Sequence, residues 1–274
     1  MSKRAAKSRL DSFVRTVKKY YRTHGRHALQ WRQTKDPYRI LVSEIMLQQT
    51  QVTRVEEKYR SFMKRFPTLR LLAAAPLSVV LAQWSGLGYN RRAKFLHNLA
   101  RTVVGEHHGK MPRTVEALES LPGVGPYTAR AVAAFAYGMP VVFIETNIRT
   151  VFIHHFFPRT PSVSDQVLLP LIEQTLDKNH PAAWYAALMD YGSFLKQEGS
   201  RVHRRSAQYK KHPPLKGSRR EVRGAILKSL VTGARTQQML EKETGFSRQR
   251  LDEAFEALLV EGMVVRMGRR YALG

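Results

Sequence analysis

The chain has 274 residues, 43% of them hydrophobic, which is enough for a buried core and leans towards two domains of ordinary size. It has no cysteine, which excludes disulfides, thiol catalysis and thiolate-built zinc or iron–sulfur sites, and no apolar run near the roughly 18 residues of a membrane-spanning helix. Forty-six Lys and Arg against 21 Asp and Glu leave a formal charge of +25, and the polyanion that best offsets such a surplus is nucleic acid, through phosphate neutralisation and counterion release. The basic start MSKRAAKSRL is followed by no apolar stretch, so no secretory signal is expected, and the cysteine usage fits a cytoplasmic or nucleoid-associated protein with no membrane partner.

Up to about residue 195 the pattern is helical with short breakers and few strand signals, so this part reads as all-α, built from many short helices. Asp36-Pro37 opens a helix that runs to about Gln48, Asp capping it and Pro fitting its first turn. Thr53–Arg65 follows, stopped by Pro67, then Leu69–Ala75 and Leu77–Trp84, ended by Gly86 and Gly88. Asn90–His107 is long and periodic, with Phe95, Leu96, Leu99 and Val103 on one side. Further helices are expected near 114–120, 126–137, 147–156, 166–177 and 181–196.

Residues 196–220 change character, with nine Lys or Arg in 25 positions, one acid and a Pro-Pro, and read as a basic linker, either draped on a phosphate backbone or a solvated spacer. Residues 221–274 show three helix patterns (221–230, 236–244 and 247–261, with Ser247 as N-cap) and a terminal hairpin turning at Met267-Gly268. This resembles a winged helix, a fold used both for DNA grooves and for protein partners; Arg248, Arg250, Arg266, Arg269 and Arg270 favour DNA.

Two strings carry chemistry. LPGVGPYTARAV (121–132) sets Gly123 and Gly125 in a tight turn between helices, where bare backbone N–H groups and a helix N-terminus face a phosphate. SEIMLQQTQV (43–52) places Glu44 in an apolar helix, either facing solvent or as a buried acid of raised pKa, followed by amides and a hydroxyl suited to bases or to a gap in a duplex. The ten histidines lack metal-ligand spacing, so no metal site is expected.

With HALQWR (27–32), DPY (36–38), WSGLGY (84–89) and MDYG (189–192), these strings stand in an order that closely resembles the helix-hairpin-helix (HhH-GPD) DNA glycosylases, and within them the adenine DNA glycosylases of the MutY type, over about residues 10–195. The resemblance implies an all-α helix-hairpin-helix glycosylase core (10–195), followed by the basic linker and the winged-helix-like domain. It implies a monofunctional N-glycosylase of base excision repair that flips out and excises adenine paired with guanine or 8-oxoguanine in double-stranded DNA, acting as a monomer.

By the same resemblance Glu44 is the catalytic acid that protonates adenine N7 and then activates water. Tyr127 stands where bifunctional relatives carry a lysine, so no Schiff base forms by that route. Leu29, Trp31 and Arg32 line the adenine pocket with Asp190 near it, and Gln49, Thr50, Leu87 and Tyr89 form the wedge opposite the flipped base. Gly123, Val124, Gly125, Thr128 and Arg149 contact the DNA backbone, and Asn147 keeps its place in the catalytic stretch 142–151.

Three departures stand out. Glu145 replaces the family aspartate that stabilises the oxocarbenium-like cation; three readings stay open, the same job with adjusted geometry, a shift to another base, or binding without catalysis. The four-cysteine cluster is absent, so no iron–sulfur cofactor is expected, while the resemblance still implies a monovalent cation on the hairpin carbonyls. The usual C-terminal domain is replaced by the winged-helix-like segment. A thymine or uracil mismatch glycosylase, and a non-catalytic damage-sensing protein, are the alternatives.

Overall fold

The computed structural model describes residues 3–211 and 213–274; Met1, Ser2 and His212 of the basic segment lie outside the described residues. In chain order the helices are α1 (Lys3–His24), α2 (Pro37–Leu47), α3 (Val52–Arg65), α4 (Leu69–Ala74), α5 (Leu77–Trp84), α6 (Arg91–Glu106), α7 (Val115–Glu119), α8 (Pro126–Tyr137), α9 (Thr146–Phe156), α10 (Asp165–Thr175), α11 (Pro181–Gln197), α12 (Arg219–Leu230), α13 (Gln237–Thr244) and α14 (Arg248–Val260). The strands β1 (Arg235–Thr236), β2 (Val264–Met267) and β3 (Arg270–Leu273) form an antiparallel sheet in the order β1-β3-β2. The architecture is an all-α core with a small winged-helix-like module at the C-terminus. Among the elements unread in the sequence are α1, whose Phe13 and Val17 one turn apart are buried, and the two-residue β1.

Contacts divide the chain into two compact units, each discontinuous in sequence: residues 1–40, 113–119 and 124–211 make the first, and residues 41–112, 120–123 and 212–274 the second.

In the first unit α11 packs on α9 and α1 around Phe13, Phe152, Trp184 and Tyr185. The α9–α11 approach is close because Gly192 has no side chain: a Cβ there would lie 2.3 Å from the Asn147 carbonyl oxygen. The segment after α11 is folded rather than a loose spacer in its first half. Val163 and Ser206 form a parallel bridge, and Arg205 donates to the Pro158 carbonyl at 2.6 Å.

In the second unit α6 packs on α4 and α5. Its Leu96, Leu99 and Val103 are buried as the periodicity predicts, but Phe95 is 45% exposed. Its Cβ lies 2.6 Å from where a side chain on Gly123 would begin, and Gly123 has φ +76, so both space and backbone require glycine there. The winged-helix-like module joins this unit through α12, α14 and the sheet, and Ser247 stands at the N-cap position of α14 without a side-chain capping bond.

Substituting Gly192→Ala forces α9 and α11 apart. Urea denaturation is expected to show a loss of about 1–3 kcal/mol, the usual cost of overpacking.

Candidate functional site

Asp36 accepts from the backbone N–H of Tyr38 at 2.9 Å and of Arg39 at 3.3 Å, and so starts α2 where the sequence predicts. The helix is then buried from Ile40 to Met46, and Glu44 is buried with it at 6% exposure. The solvent-facing reading of Glu44 is thereby excluded.

The loop after α2 and the loop after α5 are tied together by Arg92, in the first turn of α6. Its Nη1 donates to the carbonyls of Ile45 (2.8 Å), Met46 (2.9 Å) and Gln48, and its Nη2 to Thr50 Oγ1 (3.1 Å), Gly88 O (3.1 Å) and Leu87 O (3.3 Å). The guanidinium carbon also lies 5.4 Å from the ring centres of both Trp84 and Tyr89. Burial pulls the Arg92 pKa down to about 10, which still leaves it charged at neutral pH. Sequence reasoning missed this residue, although it sits one turn before Leu96 on the apolar stripe of α6.

Of the four wedge candidates, Gln49 and Tyr89 are exposed and both have left-handed backbone, φ 55 and 46. Among the described residues only His108 shares that feature outside glycine. Such conformations cost about 1–3 kcal/mol and persist where neighbours over-determine them, as Arg92 does here. Thr50 is engaged by Arg92, and Leu87, at 3% exposure, is a core residue of its loop and not part of a protruding edge.

In the first unit Glu145 is the N-cap of α9. Its Oε1 accepts from the backbone N–H groups of Asn147 (2.8 Å) and Ile148 (2.9 Å), and its Oε2 from Asn147 Nδ2 at 3.2 Å. Burial raises its pKa, only partly opposed by the two backbone hydrogen bonds and by Lys196 and Arg149. Asn147 Oδ1 is buried without a hydrogen-bond partner. Lys196 is a second residue that the sequence did not single out; burial lowers its pKa, opposed by Glu145.

Asp190, 2% exposed, is saturated by arginine: Arg32 grips it with both terminal nitrogens (2.8 Å for Nη2), and Arg26 donates from Nε (2.6 Å) and from its backbone N–H (2.8 Å). Burial alone would raise its pKa, but the Arg32 and Arg26 interactions outweigh it and hold the carboxyl below the ordinary value. Leu29, at the N-cap of the single turn Gln30–Arg32, and Trp31, in its middle, are buried at 6% and 8%. Arg149, expected at a phosphate, forms a bidentate pair with Asp165 at 2.7 and 2.6 Å.

The hairpin joins α7 to α8 through Gly123 and Gly125. Nothing lies within 4 Å of a Cβ built on Gly125, whose backbone is extended, so no protein neighbour demands a glycine there. Val124 and Thr128, expected at the DNA backbone, are both buried. Tyr127, in the first turn of α8, stands edge-on to Phe143 (centroids 5.7 Å apart) and lines an open groove of about 660 Å³ with Arg130, Val142, Ile144 and Pro170. The stretch after α11 does not fit an iron–sulfur cluster: it has no cysteine, and among the described residues no three His, Asp or Glu are grouped to hold a metal.

The family model of the HhH-GPD superfamily of base excision DNA repair proteins matches residues 42–170. An adenine DNA glycosylase of Mycolicibacterium smegmatis is 35% identical over 260 residues, covering 88% of this chain and 89% of that protein. The chain belongs to the HhH-GPD superfamily. Within it the chain is a DNA N-glycosylase of the MutY type. The human adenine DNA glycosylase is 42% identical over 161 residues, 57% of this glycosylase but 29% of the human protein. Among solved structures, a thermostable thymine-DNA glycosylase matches at 28% identity and TM-score 0.61, over 69% of this chain and 88% of that one. A trapped endonuclease III–DNA intermediate matches at 20% identity and TM-score 0.54, over 80% of this chain and 93% of that one, a likeness of fold alone.

Two outcomes test this geometry. Arg92→Met removes every donor from the two loops and is expected to cost about 2–4 kcal/mol in chemical denaturation and to speed amide exchange around Gln49 and Tyr89. Asp190→Asn is expected to cost about 3 kcal/mol at pH 7 by leaving two arginines unpaired. Because the folded pKa of Asp190 lies below the unfolded value of 3.8, its contribution is present above that pH, and the gap between wild type and variant should close as pH falls below it.

Proposed function

We propose that the glycosylase excises adenine opposite guanine or 8-oxoguanine in duplex DNA and leaves the strand intact. The observation that carries this reading is Glu44, a carboxyl kept out of water in an apolar helix that ends at the QQT loop. In the proposed reaction Glu44 gives its proton to adenine N7, and the C1′–N9 bond breaks with its electron pair leaving on the base. Glu145 provides negative charge for the oxocarbenium-like sugar. Glu44 then takes a proton from water as the oxygen bonds to C1′, giving an abasic site and adenine. Asn147 orients Glu145, and with tyrosine at 127 the enzyme lacks the lysine amine of bifunctional relatives.

Binding draws on the +25 charge, and the hairpin offers main-chain N–H groups to one phosphate. The bare Gly125 supports that reading. Gln49 and Tyr89 are the parts of the wedge that protrude, and exposed Arg248, Arg266, Arg269 and Arg270 extend the basic surface. Asp190 acts by fixing Arg32. The likeness to a thymine-DNA glycosylase favours a second reading, removal of thymine from mismatches.

Duplexes carrying A, T, U or C opposite guanine or 8-oxoguanine, incubated and then treated with alkali, separate these readings. Alkali-dependent scission at A is expected; scission at T alone would transfer the assignment to the second reading. Glu44→Gln should lower single-turnover excision about 100-fold or more while sparing duplex affinity. Glu145→Gln, whose amide oxygen still caps α9, should lower it about 100-fold with little loss of stability.

A further inference from the structure

Tyr89 is held from a second side. Arg220, in the first turn of α12, donates from Nη1 to the Tyr89 hydroxyl at 2.8 Å, and its guanidinium carbon lies 5.7 Å from the Tyr89 ring centre. The arginine is itself fixed, because its Nη2 donates to the Pro213 carbonyl at 2.9 Å. The helix start beneath it is closed by a reciprocal cap: Ser218 Oγ accepts from Glu221 N–H at 3.3 Å, and Glu221 accepts from Gly217 N–H at 2.7 Å.

A second attachment sets the register. Glu261, at the end of α14, accepts from Arg91 Nε at 3.0 Å and from Arg223 at 2.6 Å, and its carbonyl takes the Lys94 ammonium. Burial would raise the Glu261 pKa, but the two arginines outweigh it and hold the group as an anion. Arg220 and Arg223 are three apart and so share a face of α12, while Tyr89 and Arg91 flank Asn90. The module therefore meets the start of α6 at two points, and one of them is the exposed aromatic.

We propose that Arg220 is a positioning residue for Tyr89, so that the C-terminal module sets the orientation of the wedge aromatic and with it the discrimination of the base opposite the excised one. This rests on the wedge reading of Tyr89. A guanidinium in contact with both the hydroxyl and the ring restricts a side chain already on strained backbone. Its planar fork reaches the Tyr89 hydroxyl and the Pro213 carbonyl together, which an ammonium cannot match in the same geometry.

The test measures affinity and single-turnover excision with guanine, 8-oxoguanine or cytosine opposite the target. Binding uses duplexes with a tetrahydrofuran abasic analogue, by fluorescence anisotropy at two salt concentrations; excision uses the adenine duplexes. Arg220→Ala is expected to reduce the guanine-over-cytosine ratio about three- to tenfold in both assays, with an unchanged salt slope and melting temperature. Arg220→Lys should not restore it. Tyr89→Phe should reproduce part of the loss, and the double variant should be no worse than the more affected single one. A uniform loss of affinity with a shallower salt slope would make Arg220 a plain phosphate contact and overturn the proposal. So would an unchanged ratio, full rescue by lysine, or a wild-type protein with no opposite-base preference. Absence of excision by wild type would overturn the adenine assignment, while the binding ratio would still decide the role of Arg220.

Discussion

A buried arginine is costly to desolvate, and Arg92 is tolerated because its donors meet a ready set of acceptors. Three are main-chain carbonyls at and just beyond the end of α2, where the helix dipole is negative; the others belong to Thr50 and to the loop before α6. The result is a charge-assisted knot that fixes two loops with no secondary structure of their own. Gln49 and Tyr89 protrude from it on left-handed backbone because the carbonyls around them are already committed. The same knot grips the carbonyls of Ile45 and Met46, so the end of the helix bearing Glu44 and the two loops share one hydrogen-bonding residue.

The acids of the molecule are tuned in opposite directions by their surroundings. Asp190 is buried, yet two arginines keep it ionised and make it a structural anchor for Arg32. At Glu145 burial outweighs the two backbone hydrogen bonds and raises the pKa, while Lys196 and Arg149 favour the ionised form. Glutamate is an unusual N-cap, but its extra methylene folds back so that one oxygen reaches the two backbone N–H groups that a shorter cap residue would take. Glutamate at this position thus closes the start of α9. Environments that push acids apart are the physical basis for giving them different tasks.

The basic segment after α11 and the C-terminal module are both held by polar contacts. After α11 a parallel bridge and the Arg205–Pro158 hydrogen bond take up the basic segment that composition reads as a linker. At the C-terminus Glu261 collects Arg91 and Arg223, so the winged-helix-like module is fastened to α6 by a shared carboxylate. Charge runs that read as a solvated or DNA-bound surface are in part internal fasteners, since an arginine looks the same in sequence whether it meets a phosphate or a neighbouring acid. Arg149 on Asp165 is one such fastener.

Much was legible before any coordinates. Periodicity gave the helices from α2 to α14 with their breakers, because the burial of one face repeats locally along the chain. Gly123 and Gly125 marked the hairpin, because a tight turn has few residue solutions. Family strings pointed to Glu44. What the chain alone could not carry was pairing at a distance. That Glu44 is dry, that Asp190 is saturated by Arg26 and Arg32, that Leu87 turns inward while Tyr89 protrudes, and that Arg92 and Arg220 converge on Tyr89 all depend on residues far apart in sequence. Local propensity encodes the elements; only tertiary packing decides which charges meet, because Coulombic and hydrogen-bonding partners leave no periodic trace.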